Sequence, residues 1–272
     1  MALDNPAFSR NSAFSSQQGA QAVAQDVSAQ QLQEMYNQPA TLPDREVMAV
    51  ETTIQKSVVA FGLLVVGAAL GWVTTESMPF LWIGAGIVGF VLALVNTFKR
   101  EPSPALVLAY AGVQGIFVGG ISAWYELMYG GGIVAQAVIA TLVVFGVTLA
   151  LFASGKIRAS KKATKVFLIA MVGYLVFSIV NVFIMIFGGA DSNPWGLRGV
   201  DFFGTGIPFG LVLGVLVVIM AAYSLVLDFD FIQQGVRNRA PKKYEWTGVF
   251  GIMVTVIWLY LEILRMIAIT RD

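Results

Sequence analysis

The chain has no cysteine and no histidine, and only 12% of its 272 residues are charged. Without cysteine there is no disulfide framework, no thiolate metal site and no cysteine nucleophile. Without histidine, any response to pH near neutrality has to come from carboxylates whose pKa is raised by their surroundings. Soluble domains carry about 25% charged residues. Half that content, together with 57% hydrophobic residues and a mean hydropathy of +0.75, excludes an ordinary globular protein and implies a polytopic membrane protein. Neither an HExxH nor a GxSxG motif is present, so hydrolysis has no support, and neither enzymatic activity nor a cofactor is expected. A net charge of +1 argues neither for nor against nucleic acid, and none is expected as a partner. The first apolar run begins only after residue 56, behind a polar stretch, so no cleavable signal peptide is expected.

Residues 1–46 are rich in Gln, Ala and Ser and have too little apolar side chain to offset the cost of ordering, which predicts a disordered tail; a short helix over 20–36 is the one element it could form. DREVMAVETTIQKSV reads as a helical lead-in on the membrane surface. Residues 47–272 then form the membrane domain. Seven apolar segments follow near Ser57–Thr74, Phe80–Phe98, Pro104–Trp124, Gly132–Ala153, Val166–Phe187, Ile207–Leu227 and Thr247–Ile269, each near the roughly 20 residues a spanning helix needs. The fold class is therefore all-α, a seven-helix transmembrane bundle. Alternate loops carry Lys99, Arg100, Lys156, Arg158, Lys161, Lys162, Lys165, Arg237, Arg239, Lys242 and Lys243, while the opposite loops carry only Arg198. That bias predicts a cytoplasmic N-terminus and an external C-terminus in the cell membrane. Gly67 and Gly71, Gly115 and Gly119, and Gly206, Gly210 and Gly214 recur every four residues, the spacing of close helix contacts in lipid.

The residues that point to function lie between Ser224 and Arg265, where Asp228 and Asp230 end one apolar helix and Glu262 sits inside the next. A carboxylate at membrane depth costs several kcal/mol unless it is protonated, paired or facing water, so such groups mark ion or proton pathways. Two residues apart on a helix is about 200° of rotation, so only one of Asp228 and Asp230 can face inward. From Trp246 to Glu262 is roughly 24 Å of helical rise, which puts Glu262 in the outer half, away from Asp230 unless the last helix starts deeper or bends. Glu262 can instead pair with Arg265 one turn on, and Glu245 at the inner mouth is then the rival partner for the aspartates.

The stretches EPSPALVLAYAGVQGIFVGGISAWYE, GGGIVAQAVIATLVVFGVTLALF, KVFLIAMVGYLVFSIVNVFI and LDFDFIQQGV, taken in order, resemble the Bax inhibitor-1 family of transmembrane proteins. The bacterial branch is nearest, and MAVETTIQKSVVAFGLLVV suggests an actinobacterial type. The resemblance implies seven helices with the last wrapped by the other six. It also implies a pH-sensitive calcium leak governed by a pair of acids on the sixth and seventh helices and an arginine-linked latch. Asp230 matches the sixth-helix acid best, with Asp228 as its acidic neighbour, and Glu262 stands in the seventh-helix position. Arg100, with Lys99 and Glu101 beside it, is the latch candidate. The expected partners are the lipid bilayer, protons and Ca²⁺ as permeant ion, the hard cation that carboxylates favour. A proton-coupled transporter, and a non-conducting modulator of another membrane protein such as a membrane protease, are the alternatives.

Overall fold

The computed structural model describes residues 46–188 and 193–272. The expected tail over 1–45, with its short helix, lies outside the described residues. Among the described residues seven helices are long and apolar enough to cross a membrane. They are α1 (Val50–Thr74), α2 (Leu81–Phe98), α3 (Pro104–Tyr129), α4 (Ile133–Ala153), α5 (Lys161–Phe187), α6 (Phe209–Arg237) and α7 (Glu245–Ile269), with single 3-10 turns at Gly196–Gly199 and Lys242–Tyr244.

Local chemistry accounts for several boundaries. Pro104 opens α3, where its missing N–H is no loss. Ser160 caps α5 by accepting a hydrogen bond from the Ala163 N–H at 3.2 Å. Gly130, Gly131 and Gly132 all take positive φ, which turns the chain from α3 into α4 without the steric cost of a Cβ. Glu126 then covers the start of α4, accepting from the Gly132 and Val134 N–H groups. This carboxylate is a helix cap.

Several helices overrun the apolar segments. α1 starts at Val50 rather than Ser57, so the lead-in is the first turns of the span and not a separate surface helix. α5 starts at Lys161, and α6 runs on to Arg237. Hydropathy marks the hydrocarbon thickness, whereas helix ends are set by caps and turns beyond it. The start of α1 is tied to the α6–α7 connection by hydrogen bonds from the Met48 N–H to the Ala240 carbonyl and from the Lys242 N–H to the Glu46 carbonyl, both 2.8 Å.

α7 is the most buried of the spans. Its walls are α6, α4, α1 and α3, while α2 leans mainly on α3. α5 is the least embedded helix, with Asn181 its one buried residue. It meets the bundle through ring contacts of Phe167 with Tyr223, Tyr174 with Trp258 and Phe177 with Phe209.

The glycine rows do what their spacing implies, with one exception. Gly67 and Gly71 of α1 face Gly115 and Gly119 of α3 so closely that a Cβ on any of the four would strike opposing backbone. Gly210 and Gly214 admit Ile269 and Met266 of α7. Gly206 precedes α6 and has φ 74°, so it serves a turn and not a helix contact. Replacing Gly71 by Ala forces α1 and α3 apart and should cost about 1–3 kcal/mol of stability. Thermal unfolding of the purified protein measures this, with Gly62→Ala, which meets open space, as the neutral comparison.

Candidate functional site

α7 carries two acids, one in its first turn and one near its far end, and both are neutralised. Glu245 is 0% exposed. Its Oε1 accepts from the Ala49 N–H at 2.9 Å and the Thr52 hydroxyl at 2.6 Å, and its Oε2 lies 2.6 Å from Lys56 Nζ. The carboxylate therefore caps the N-terminus of α1, where negative charge is favoured, and is matched by a lysine one turn further on. It is not a partner of either aspartate. The lysine and the capped turn lie in the segment read from sequence as a surface lead-in, which is why the pairing was not legible there.

Glu262, 1% exposed, is held by a cluster from three elements. Arg198 Nη1 donates to Oε1 at 2.9 Å, and Arg265 Nη1 and the Tyr174 hydroxyl donate to Oε2 at 2.6 and 2.8 Å. Arg198 Nη2 also donates to the Tyr174 oxygen at 3.0 Å. The pairing with Arg265 agrees with the one-turn spacing. Arg198 was legible only as the lone basic residue of its set of loops. In the structure it is 4% exposed, because the loop before α6 folds back over α5 and α7. Asn181 fixes that loop, accepting from the Leu197 N–H at 2.7 Å and donating to the Trp195 carbonyl at 3.2 Å.

The two aspartates of α6 part company, as 200° of rotation requires, but the inward one is Asp228. Its Oδ2 accepts from the Thr255 hydroxyl of α7 at 2.7 Å, and Ser224 is 3.2 Å from the same hydroxyl. Gly251 makes room for the other oxygen: a Cβ there would lie 2.6 Å from Asp228 Oδ1. Among the described residues no basic side chain lies within ion-pair distance of Asp228. It directly follows the apolar segment that ends at Leu227, and nine residues, roughly 13 Å of helix, separate it from Arg237. Asp230 turns the other way, into a groove between α5 and α6, and accepts from Gln234 Nε2 at 2.5 Å.

The expected pair of acids on α6 and α7 is not formed. Glu262 lies seven residues beyond Thr255, roughly 10 Å further along α7, and both its oxygens are taken by cations and a phenol. Glu101 and Lys243 bridge at 2.7 Å on the exposed surface. The hydrogen bond from the Lys243 ammonium, and its charge, hold the Glu101 carboxyl below the usual range. Arg100 is exposed and makes no ion pair among the described residues, so no latch joins it to the acids. No group of three acids that could hold a metal occurs among the described residues.

The family described as Bax inhibitor 1 like matches this chain over residues 5–272, essentially its whole length. No curated protein matches the sequence.

Removing one partner from a buried ion pair leaves an uncompensated charge, at a cost of about 3–5 kcal/mol. Glu262→Gln, which leaves both arginines without their anion, should lower stability by about that much, and Arg198→Ala, which leaves Arg265 on the carboxylate, by somewhat less. Arg265→Ala should cost clearly less, since its side chain is 31% exposed. Thermal unfolding in detergent tests the ranking, and an Arg198→Ala protein as stable as the parent would contradict it.

Proposed function

The chain belongs to the Bax inhibitor 1 like family, and from that premise we propose that it is a pH-sensitive leak for divalent cations, with Ca²⁺ as cargo. The seam between α6 and α7 is its path and Asp228 its controlling acid. One observation carries this reading: Asp228 is the α6 carboxylate that faces the central helix with a hydroxyl for a partner and, among the described residues, no cation. A lone carboxylate in that position is costly unless a proton or a passing cation neutralises it. Oxygen ligands suit a hard cation, and Asp228, Thr255 and Ser224 place carboxylate and hydroxyl oxygens together on the seam.

Protonation changes what the seam can hold. Ionised, Asp228 draws a cation or water between the helices; protonated, it is a neutral group that packs against Gly251 and Thr255. The two charge states thus favour different α6–α7 contacts, which is sufficient to couple pH to flux. This mechanism needs one acid and not a proton shared by two, because Glu262 is committed elsewhere. In this reading the basic loops after α2, α4 and α6 lie in the cytoplasm, following the distribution of Lys and Arg, and the cell membrane is the site of action.

Reconstitution in liposomes loaded with a Ca²⁺ indicator tests the proposal. The parent protein should pass Ca²⁺ at a rate that depends on pH. Asp228→Asn should slow the flux about tenfold, the loss of ~1.4 kcal/mol of cation attraction, and remove the pH dependence. Glu101→Gln, at an exposed surface bridge, should change neither. Flux that is unaltered in Asp228→Asn overturns the assignment.

A further inference from the structure

Asp230 has no part in that seam, and the groove it faces has a chemistry of its own. Between the first turns of α5 and the last turns of α6 lies an open cavity of ≈ 700 Å³, within the range of about 300–1,000 Å³ typical of small-ligand sites. One wall presents Lys161 and Lys165, four residues apart on one face of α5; the other presents Asp230 and Gln234, four apart on α6. The floor is apolar, formed by Leu168 and Leu227 with the neighbouring Ile169. Tyr223 holds the helices together beside the groove, its hydroxyl 2.9 Å from Thr164 Oγ1.

Opposite charges line this groove, yet they do not close on one another. Among the described residues neither lysine comes within 4.0 Å of Asp230, nor of any other acid. The cavity between them leaves room for a ligand that carries both charges. Such a ligand would place an anion against Lys161 and Lys165 and a hydrogen-bonding cation against Asp230, whose Oδ2 has only Gln234 as partner among the described residues. The apolar floor runs into the lipid-facing side of α5, where Leu168 is 56% and Ile169 64% exposed, so the rest of the ligand is hydrocarbon. The charged rim stands where α5 enters the bilayer, at headgroup level.

We propose that the α5–α6 groove is a binding site for an aminophospholipid of the phosphatidylethanolamine type. Its phosphate meets Lys161 and Lys165, its primary ammonium donates to Asp230, and its acyl chains lie on Leu168, Ile169 and Leu227. The assignment is specific in both parts of the headgroup. Phosphatidylcholine keeps the phosphate but its quaternary ammonium has no N–H to donate, and phosphatidylglycerol has no cation for Asp230.

The test is lipid retention by the purified full-length protein, extracted from vesicles of equal phosphatidylethanolamine, phosphatidylcholine and phosphatidylglycerol and weighed intact by native mass spectrometry. Phosphatidylethanolamine should be retained about tenfold over each of the others. Asp230→Asn should reduce it to the phosphatidylcholine level, and Lys161→Ala with Lys165→Ala should remove retention of all three. Leu227→Trp, which fills the floor and leaves every charge in place, should also empty the site. Equal retention of the three lipids, a preference for phosphatidylglycerol, or a preference that survives Asp230→Asn overturns the proposal. Ca²⁺ flux through the α6–α7 seam is read separately, so loss of either activity leaves the other measurable.

Discussion

The structure depends on how a buried central helix accommodates charge. α7 is walled by four other helices, so an acid on it, or pressed against it, has to be matched from within the protein. Glu245 is matched by Lys56 and by the exposed amide end of α1, and this contact also fixes where the first helix begins. Glu262 is matched by Arg198 and Arg265, which draws the loop before α6 back over the bundle and gives the loosely packed α5 a polar attachment to α7 through Tyr174. Asp228 is the acid that this scheme leaves, among the described residues, with a hydroxyl alone. In the proposed reading, the structural acids and Asp228 are separated by whether a cation from the described residues reaches them.

Much of this was legible in the sequence, and the parts that were not share a cause. The seven spans, the close faces at Gly67, Gly71, Gly115 and Gly119, and the Glu262–Arg265 contact all follow from local periodicity. Arg198 did not, because its partner is 64 residues away and its loop reads as solvent-exposed until Asn181 is seen to hold it. Lys56 was hidden in the same way, 189 positions before Glu245 in a segment that composition alone assigned to the membrane surface. Both pairings are long-range, and no spacing rule reaches them.

The choice between Asp228 and Asp230 is different, because the sequence held the signal. Gly210, Gly214, Val217, Ala221 and Leu225 step by three or four residues down one face of α6, and all are buried. The next step lands on Asp228 and the one after on buried Ile232, so the inward row passes Asp230 by. Following that row decides between the aspartates more surely than the match of Asp230 to the family's sixth-helix acid does. It also explains the groove, since an acid directed away from α7 on this part of α6 faces the first turns of α5.

Whether cations reach Asp228 from water, as proposed, is directly measurable because the sequence has no native cysteine. Thr255→Cys places a single thiol beside the carboxylate, and its labelling by a positively charged, water-soluble thiol reagent can be followed in proteoliposomes. Labelling that Ca²⁺ slows is expected, with the Ca²⁺ effect lost when Asp228→Asn is added. A thiol that stays unlabelled from both sides, or whose labelling ignores Ca²⁺, would contradict the proposal.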